Sequence, residues 1–318
     1  MGATAEGAWT RTRWARSAGV RIAYDRWAEG AGERQREPLL LIMGLGVSRL
    51  WWPDGFCRAL ADQGFAVARY DQRDAGESTR LPSTARRNPV AALFGRREDS
   101  YSAEEMTDDA VAVMEALGWG SAHVLGHSLG GAVAQRIAVR HPGRVRTLTS
   151  MAAVPGDAAG LRTLPYVRLG TLARFARVRF PHTREGDIEA ALAVARLVAS
   201  PGYPFDEEAV RGVVTRTADP GVRDGGAQSR QIGAQWRGPA ISTITAPSLV
   251  LHGQGDPLIR PRAGRAIAGR IPGARLVIYP GLGHDLPEQI WSAVAAQVRL
   301  LHLRAAGAAQ GGPSPGRT

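Results

Sequence analysis

The segment AHVLGHSLGGAVAQ, residues Ala122–Gln135, decides the fold of this chain. Its first half is a short apolar run, its second half has the spacing of a helix, and Ser128 stands between two glycines at the junction. A serine at such a strand-to-helix turn is strained and exposed at the carboxyl edge of a sheet. Gly126 and Gly130 are expected to be small because neighbouring backbone comes into contact there. The segment predicts a nucleophilic serine, against the alternative of a Gly-rich packing turn.

The sequence around this segment alternates between short apolar runs and stretches with helical spacing. Strands that are apolar on both faces and alternate with helices imply a parallel sheet covered on both sides. Two segments that flank Ala18 and Gly19 predict an antiparallel hairpin at the sheet edge. We therefore predict an α/β fold with a mostly parallel, eight-stranded sheet flanked by helices. The apolar runs are residues 38–43, 65–70, 122–126, 145–151, 247–253 and 274–280.

The alternation stops between residues 154 and 242, where the sequence is arginine-rich and helical in pattern. Asp187 and Asp206 are expected to cap helices there, and Thr107 is expected to cap one in the preceding part. The segment predicts a helical cap inserted over the sheet. The last residues lack apolar side chains larger than alanine and predict a disordered tail. The predicted units are 1–18 (extension and edge strand), 19–154 and 243–304 (the two parts of the sheet core), 155–242 (helical cap) and 305–318 (tail).

Composition restricts the classes of protein that fit. The 318 residues include one cysteine, Cys57, which excludes an internal disulfide and a thiolate metal cluster. No apolar run reaches the roughly 18 residues that span a bilayer, and the first residues lack a secretory pattern, so a cytoplasmic protein is expected. The net charge is +11, but every basic residue is arginine and no block of like charges appears. A scattered, solvated coat is therefore favoured over a nucleic-acid surface.

A serine hydroxyl needs a base, and the base needs a carboxylate that orients it. In folds with this turn the chain order is serine, acid, histidine. His284 follows the last apolar run on a Gly-rich loop, whereas His252 lies within a strand and His302 is expected to face outward from a terminal helix. Asp256 is the favoured acid because it ends the preceding strand. The competing carboxylates are Asp157, which begins the predicted cap, and Asp285, which is too close to the histidine in sequence to orient its ring.

Two backbone donors are needed for the oxygen of a tetrahedral intermediate. The N–H of Leu129, which follows the serine, is one candidate, and the N–H of Leu45, after the first apolar strand, is the other. Large aromatic side chains near that loop either line an apolar substrate pocket or pack in the core, and core packing is favoured. The candidate pocket residues are Trp51, Trp52 and His127.

These residues resemble the α/β-hydrolase superfamily. The turn at residues 70–78 departs from its usual Asp-x-Arg-Gly-x-Gly-x-Ser pattern, because Asp74 replaces a glycine, and Met43 replaces a more usual histidine. Both features resemble a serine esterase and lipase subgroup that contains aclacinomycin methylesterase and LipG-like hydrolases. Asp71 and Arg73 are expected to brace the turn structurally. The matching segments, within residues 19–303, are GHSLGG (126–131), HGQGDPLI (252–259), GLGH (281–284), YDQRDAGES (70–78) and WWPDGF (51–56).

The resemblance implies a serine hydrolase that cleaves carboxylic esters through an acyl-enzyme, with Ser128, Asp256 and His284 as the triad. No cofactor and no metal are expected, because neither a dinucleotide motif nor metal-ligand spacing occurs. The expected substrate is a small-molecule ester with an apolar acyl group or a ring, and neither nucleic acid nor a membrane surface is an expected partner. The open alternatives are a lipid acyl hydrolase or thioesterase, an acyltransferase, a cofactor-free haloperoxidase-like enzyme, a proline-specific peptidase and a ligand-binding protein without turnover.

Overall fold

The computed structural model describes residues 9–28, 36–82, 101–181, 183–217 and 225–310. Its strands are β1 (Arg13–Ser17), β2 (Val20–Arg26), β3 (Glu37–Ile42), β4 (Phe65–Tyr70), β5 (Ala122–His127), β6 (Val145–Met151), β7 (Ser248–Gly253) and β8 (Arg275–Tyr279). Within the described residues they form one eight-stranded sheet in the order β1-β2-β4-β3-β5-β6-β7-β8. β2 pairs antiparallel with β1 and β4, and the other neighbours are parallel. The predicted α/β fold is confirmed.

Helices cover both faces of this sheet. They are α1 (Asp54–Asp62), α2 (Ala103–Ala116), α3 (Leu129–Arg140), α4 (Leu169–Phe175), α5 (Arg184–Val198), α6 (Glu207–Thr217), α7 (Gly225–Gly233), α8 (Arg262–Arg270) and α9 (Trp291–Gln310). Leu39 and Leu41 of β3 belong to a core with α1 and α9, whereas Leu40 and Ile42 belong to a core with α2 and α3. Successive strand residues point to opposite faces, so a strand buried on both faces is apolar at most of its positions. This is why the strands could be read as continuous apolar runs.

Helices α4 to α7 lie between β6 and β7, in the segment predicted to form a cap. Several of their contacts are with loops that follow the carboxyl ends of the strands. Val167 forms an isolated bridge with Ile259, and the N–H of His284 donates to the carbonyl oxygen of Val198 at 3.0 Å. The inserted helices thus meet the edge of the sheet at which Ser128 stands. No described helix combines the length and apolar character needed to cross a bilayer.

Two of the expected helix starts are wrong. The cap of α2 is Ser102, whose hydroxyl accepts the N–H of Glu105 at 3.2 Å, while the Glu105 carboxylate accepts the N–H of Ser102 at 2.8 Å. Thr107 lies inside that helix and donates to a backbone carbonyl instead. In the insertion, Thr183 caps α5, so Asp187 falls in the first turn, where its charge still suits the helix dipole.

Of the other two expectations about helix ends, one agrees with the structure and one does not. Asp206 accepts the N–H of Ala209 at 2.9 Å, as expected of an N-cap. The predicted start of the tail at residue 305 is wrong, because α9 continues to Gln310. The segment is rich in alanine, which has the highest helix propensity, so it continues a helix without apolar anchors. The rest of the predicted tail, 311–318, lies outside the described residues.

Candidate active site

Ser128 stands on the turn between β5 and α3. Its φ and ψ are 56° and −120°, a conformation that L-residues rarely adopt. An added Cβ on Gly126 would lie 2.0 Å from the carbonyl oxygen of Gly130, and one on Gly130 would lie 2.1 Å from that of Ile42. Neither position can hold a side chain without moving backbone. The two glycines are therefore the condition for this sharp turn, as the sequence indicated.

His284 bridges the serine and an acid. Its Nε2 lies 2.9 Å from Oγ of Ser128, and its Nδ1 lies 2.8 Å from Oδ2 of Asp256. With Nδ1–H donating to the carboxylate, the Nε2 lone pair accepts the serine O–H. The ring is 7% exposed, so it is largely shielded from water. The structure thus brings together the three side chains predicted from chain order and loop position.

Asp256 is fixed by its own backbone neighbours. Its Oδ1 accepts the N–H groups of Leu258 and Ile259, both at 2.8 Å, which leaves Oδ2 for the histidine. Burial acts to raise the pKa of this carboxyl, but His284, His252 and the Ile259 N–H outweigh it, so the pKa is lowered. The acid is therefore ionised at neutral pH. The predicted role of His252 as a core histidine fits, because its Nε2 donates to the carbonyl oxygen of Ile259 at 3.0 Å.

The competing carboxylates have other partners. Asp285 accepts a hydrogen bond from the hydroxyl of Ser200. Asp157 pairs with Arg270 at 2.9 Å and accepts the N–H of Ile241 at 3.1 Å. Both carboxylates are therefore hydrogen-bonded to groups other than an imidazole. The geometry thus agrees with the choice of Asp256 made from the sequence.

The loop after β3 lies directly against the serine. An added Cβ on Gly44 would be 3.3 Å from Cβ of Ser128. Leu45 follows in this loop, and Leu129 is the first residue of α3. Within the described residues, neither of these two leucine N–H groups donates to a protein acceptor. The two predicted oxyanion donors are therefore near the serine and available, although their role stays a prediction.

The aromatic candidates for the pocket separate. Trp52 is fully buried and stacks on Phe56 with ring centroids 5.7 Å apart, so it is a core residue rather than a pocket wall. Trp51 is half-buried and packs against Ile188 and Val214 of the insertion. His127 lies beside His284, with ring centroids 5.0 Å apart. Burial, and to a lesser extent the charge of His284, lowers the pKa of His127 to about 3. Its buried Nε2 has no hydrogen-bond partner within the described residues. The pocket roles of Trp51 and His127 stay predictions.

Buried hydrogen bonds and ion pairs fix the turn at residues 70–78. The carboxylate of Asp71 accepts the N–H of Arg49 at 2.6 Å and that of Glu77 at 2.8 Å. Arg73 forms a two-pronged pair with Asp109, at 2.7 and 2.8 Å. All four of the Asp71, Arg49, Arg73 and Asp109 side chains are buried. The structural role expected of Asp71 and Arg73 is confirmed.

Two glutamines near the site escaped the sequence reasoning. The amide of Gln72 donates to the carbonyl oxygen of Met43 at 2.7 Å, and the amide oxygen of Gln231 accepts the N–H of Gly46 at 2.8 Å. Gln72 could have been suspected from its place in the matched turn. Gln231 belongs to α7 and carried no local signal, because its contact depends on how the insertion docks.

One described group of side chains comes within reach of a shared cation: Glu37, His123 and His302. Nδ1 of His302 lies 3.1 Å from Nε2 of His123, so His302 faces inward, contrary to the outward orientation expected from the sequence. Glu37 already pairs with Arg146. Burial is the main reason that the pKa of His123 is lowered to about 3. A neutral histidine pair beside a carboxylate already held by arginine fits a hydrogen-bonded cluster better than a metal site. It lies at the amino ends of β3 and β5, at the edge opposite Ser128.

Comparison with known proteins adds independent findings. A family model described as the alpha/beta hydrolase fold matches residues 37–289. Rhodomycin D methylesterase DauP of Streptomyces sp. (strain C5) is 34% identical over 298 residues, which cover 88% of this chain and 95% of that protein. DnrP of Streptomyces peucetius, also named a rhodomycin D methylesterase, is 33% identical with the same coverage. The solved enol-lactonase from Burkholderia xenovorans LB400 superposes with a TM-score of 0.66 at 21% identity, covering 91% of this chain and 99% of that one, and shares the fold.

Proposed function

The chain belongs to the α/β-hydrolase family, and from that premise we propose that it is a serine esterase acting through an acyl-enzyme. The observation that carries the proposal is the continuous row of hydrogen bonds from Ser128 through His284 to Asp256, at 2.9 and 2.8 Å. The row begins at a serine on a positive-φ turn at the start of a helix. A nucleophile, a base and an orienting acid in this order are the parts that acyl transfer requires.

The reaction follows from the geometry. Oγ of Ser128 attacks the ester carbonyl carbon while its proton passes to Nε2 of His284. The carbonyl electrons move to oxygen, where the N–H groups of Leu45 and Leu129 stabilise the negative charge. The intermediate collapses, the bond to the alcohol oxygen breaks, and His284 returns the proton to the leaving alcohol. Water then attacks the acyl-enzyme in the same way and releases the acid. Asp256, with its lowered pKa, stays ionised beside the imidazolium.

The substrate class proposed is a methyl ester of a ring-bearing carboxylic acid. Two relatives that cover nearly the whole chain are named methylesterases, at 34% and 33% identity. Trp51 lies at the junction of the insertion and the loop after β3, and an aromatic face there suits a planar ring. Methanol is then the leaving alcohol, and the acid half supplies most of the binding energy.

The proposal is tested by initial rates with methyl esters of aromatic and polycyclic acids, alongside p-nitrophenyl esters from acetate to palmitate. Ser128→Ala should lower the rate by about a thousandfold or more, because the nucleophile is removed. Ser121→Ala is the matched control, since Ser121 lies just before β5 at the opposite edge, where its hydroxyl accepts a hydrogen bond from Arg146 at 2.9 Å. Retention of most of the wild-type rate by Ser128→Ala contradicts the proposal.

The same assay separates the alternatives. A rate that peaks with palmitate indicates a lipid acyl hydrolase, and a transesterified product after addition of an acceptor alcohol indicates an acyltransferase. Absence of both ester turnover and fluorophosphonate labelling of Ser128 in a folded protein indicates a ligand-binding protein, because the reagent reacts only with an activated serine. Each outcome is distinct because the first concerns the acyl chain, the second the acceptor and the third the whole cycle.

A further inference from the structure

Asp74 raises a question that its sequence position alone does not answer. It stands where related turns carry glycine, and its φ is +67°, a conformation that is costly for most residues with a side chain. Its carboxylate pairs with Arg230 of α7 through two contacts, Oδ2 to Nε at 2.7 Å and Oδ1 to Nη2 at 2.8 Å. Both side chains are buried. The strained aspartate therefore ties the turn of the sheet core to one helix of the insertion.

The residue after this arginine reaches the loop beside the serine. Gln231 is 1% exposed, and both ends of its amide are used. Its oxygen accepts the N–H of Gly46 and its nitrogen donates to the carbonyl oxygen of Arg73, both at 2.8 Å. An added Cβ on Gly46 would lie 2.7 Å from the side chain of Gln228, so α7 presses closely on this loop. The paired aspartate and arginine hold α7 in the place from which Gln231 makes these contacts.

The peptide groups of the loop show what the contact controls. The N–H of Gly46 belongs to the peptide that follows Leu45, and Gln231 holds it. The carbonyl oxygen of Met43 belongs to the peptide that precedes Gly44, and Gln72 holds it at 2.7 Å. The peptide between them carries the N–H of Leu45. Leu45 is flanked by Gly44 and Gly46, and glycine restricts backbone rotation least. Hydrogen bonds to the peptide groups on both sides are therefore needed to fix the direction of the Leu45 N–H.

We infer that Gln231 is a positioning residue for the oxyanion donor of Leu45, delivered by the insertion and held in register by the Asp74–Arg230 pair. The inference rests on the proposed function. Removing one oxyanion donor costs about a hundredfold to a thousandfold in rate, and misaiming it costs a large part of that. Gln231 acts on the transition state through Leu45, and its two hydrogen bonds within the described residues go to backbone rather than to the nucleophile or the base.

Gln231→Leu removes both hydrogen bonds while keeping a similar side-chain volume. Gln135→Leu is the matched control: Gln135 is also buried and bridges backbone and side chain, bonding Gly156 N–H at 2.8 Å and Ser150 at 2.9 Å, on a part of α3 away from Leu45. Both variants should lose similar amounts of stability. We expect kcat/KM of Gln231→Leu to fall about tenfold to a hundredfold, with Gln135→Leu within about threefold of wild type.

The decisive readout is inhibition by an aryl trifluoromethyl ketone, which adds to a serine and forms an oxyanion, compared with the matched methyl ketone. Gln231→Leu should weaken the trifluoromethyl ketone by the same factor as kcat/KM and leave the methyl ketone within twofold. A purely structural role would leave both inhibition constants unchanged for the folded fraction. If Gln231→Leu fails to fold, Gln231→Glu keeps an acceptor for Gly46, and it should show the same selective loss to a smaller extent.

The outcomes are separable. If the trifluoromethyl ketone inhibits the wild type and the Gln231 variant equally, the role of Gln231 is overturned. The proposed function is then unaffected. A wild type that is insensitive to the ketone contradicts both. Loss of sensitivity to both ketones by Gln231→Leu, with wild-type sensitivity in Gln135→Leu, shows a general pocket defect and also overturns the inference.

Discussion

At the scale of single residues, the acid offers the sharpest test of the proposed triad. Asp256→Asn keeps an oxygen that can accept the N–H groups of Leu258 and Ile259, so the loop should remain folded. Its NH₂ would face Nδ1 of His284 and favour the tautomer with hydrogen on Nε2, which cannot accept the serine proton. We expect kcat to fall by about ten thousandfold, measured as initial ester hydrolysis at pH 8.

The same variant carries a second readout, in stability against pH. The pKa of Asp256 is lowered in the folded protein relative to the unfolded value of about 3.9. Its ionised form therefore stabilises the fold above that pH, and this contribution is lost as the pH falls through the lower folded pKa. The stability gap between wild type and Asp256→Asn should narrow below about pH 4 in urea titrations. Asp157→Asn, a carboxylate paired with Arg270, is the control for activity, and a loss of activity there as large as at Asp256 would contradict the assignment.

The sequence could predict these residues because their positions are tied to the chain. A serine on a strand-to-helix turn, an acid after a later strand and a histidine after the last strand meet at one edge whenever the strands are parallel. Gln231 has no such tie. It matters because α7, after a long insertion, docks on the loop that carries Gly46, and nothing local in GGAQSRQIG distinguishes it from any other polar helical residue.

At the scale of elements, the first turn of α2 is a test of local capping. Ser102 and Glu105 bond each other's backbone N–H groups, which satisfies two donors that the helix itself cannot. Ser102→Ala should lower the free energy of unfolding by about 1 kcal/mol, measured by urea denaturation. Ser102→Thr keeps the hydroxyl and should cost much less. Equal stability of the alanine and threonine variants would show that the box contributes nothing measurable.

The same helix shows why strands were easier to predict than helix starts. The β4 and β6 runs were predicted to the residue, and each is buried at every position but one, although β6 includes the polar residues Thr147, Thr149 and Ser150. For α2 the sequence offered two hydroxyls five residues apart, Ser102 and Thr107, and only the first has a glutamate three residues on. Thr107 is buried inside the helix, where it can bond a carbonyl of the preceding turn, so its presence alone does not mark a start.

At the scale of the whole molecule, part of the charge is internal. Arg49, Arg69, Arg73 and Arg230 are each less than 5% exposed and paired with carboxylates. The planar guanidinium matches a carboxylate with two parallel hydrogen bonds, so arginine suits buried pairs. Four buried aspartates, Asp25, Asp71, Asp74 and Asp109, neutralise these arginines, so the pairs add arginines without adding net charge. The arginine-rich composition therefore serves internal bracing as well as the solvated coat predicted from the sequence.

The contacts between the insertion and the sheet core also predict an order of unfolding. The polar contacts of helices α4 to α7 run through Arg230, Gln231 and the Val198 carbonyl. The apolar contacts form two small clusters, one of Ile188, Leu192 and Val214 and one that joins Val167 to Ile259 and Ala263. The core around α1 and α9 is a large apolar cluster. Regions with few buried apolar contacts open at lower free energy than a large core. The insertion should therefore detach from the site before the sheet core unfolds.

Cys57 makes this order measurable, because it is the sole cysteine of the sequence and is fully buried in the core around α1. Burial raises the pKa of its thiol, so reaction with Ellman's reagent needs exposure of the core. In a urea series, ester hydrolysis should be lost at a lower concentration than the one at which Cys57 becomes reactive, since activity needs the docked insertion and labelling needs the open core. Cys57→Ser supplies the unlabelled baseline. Coincident midpoints would mean that insertion and core unfold as one cooperative unit, and the polar contacts of α7 would then be as strong as the apolar core beneath them.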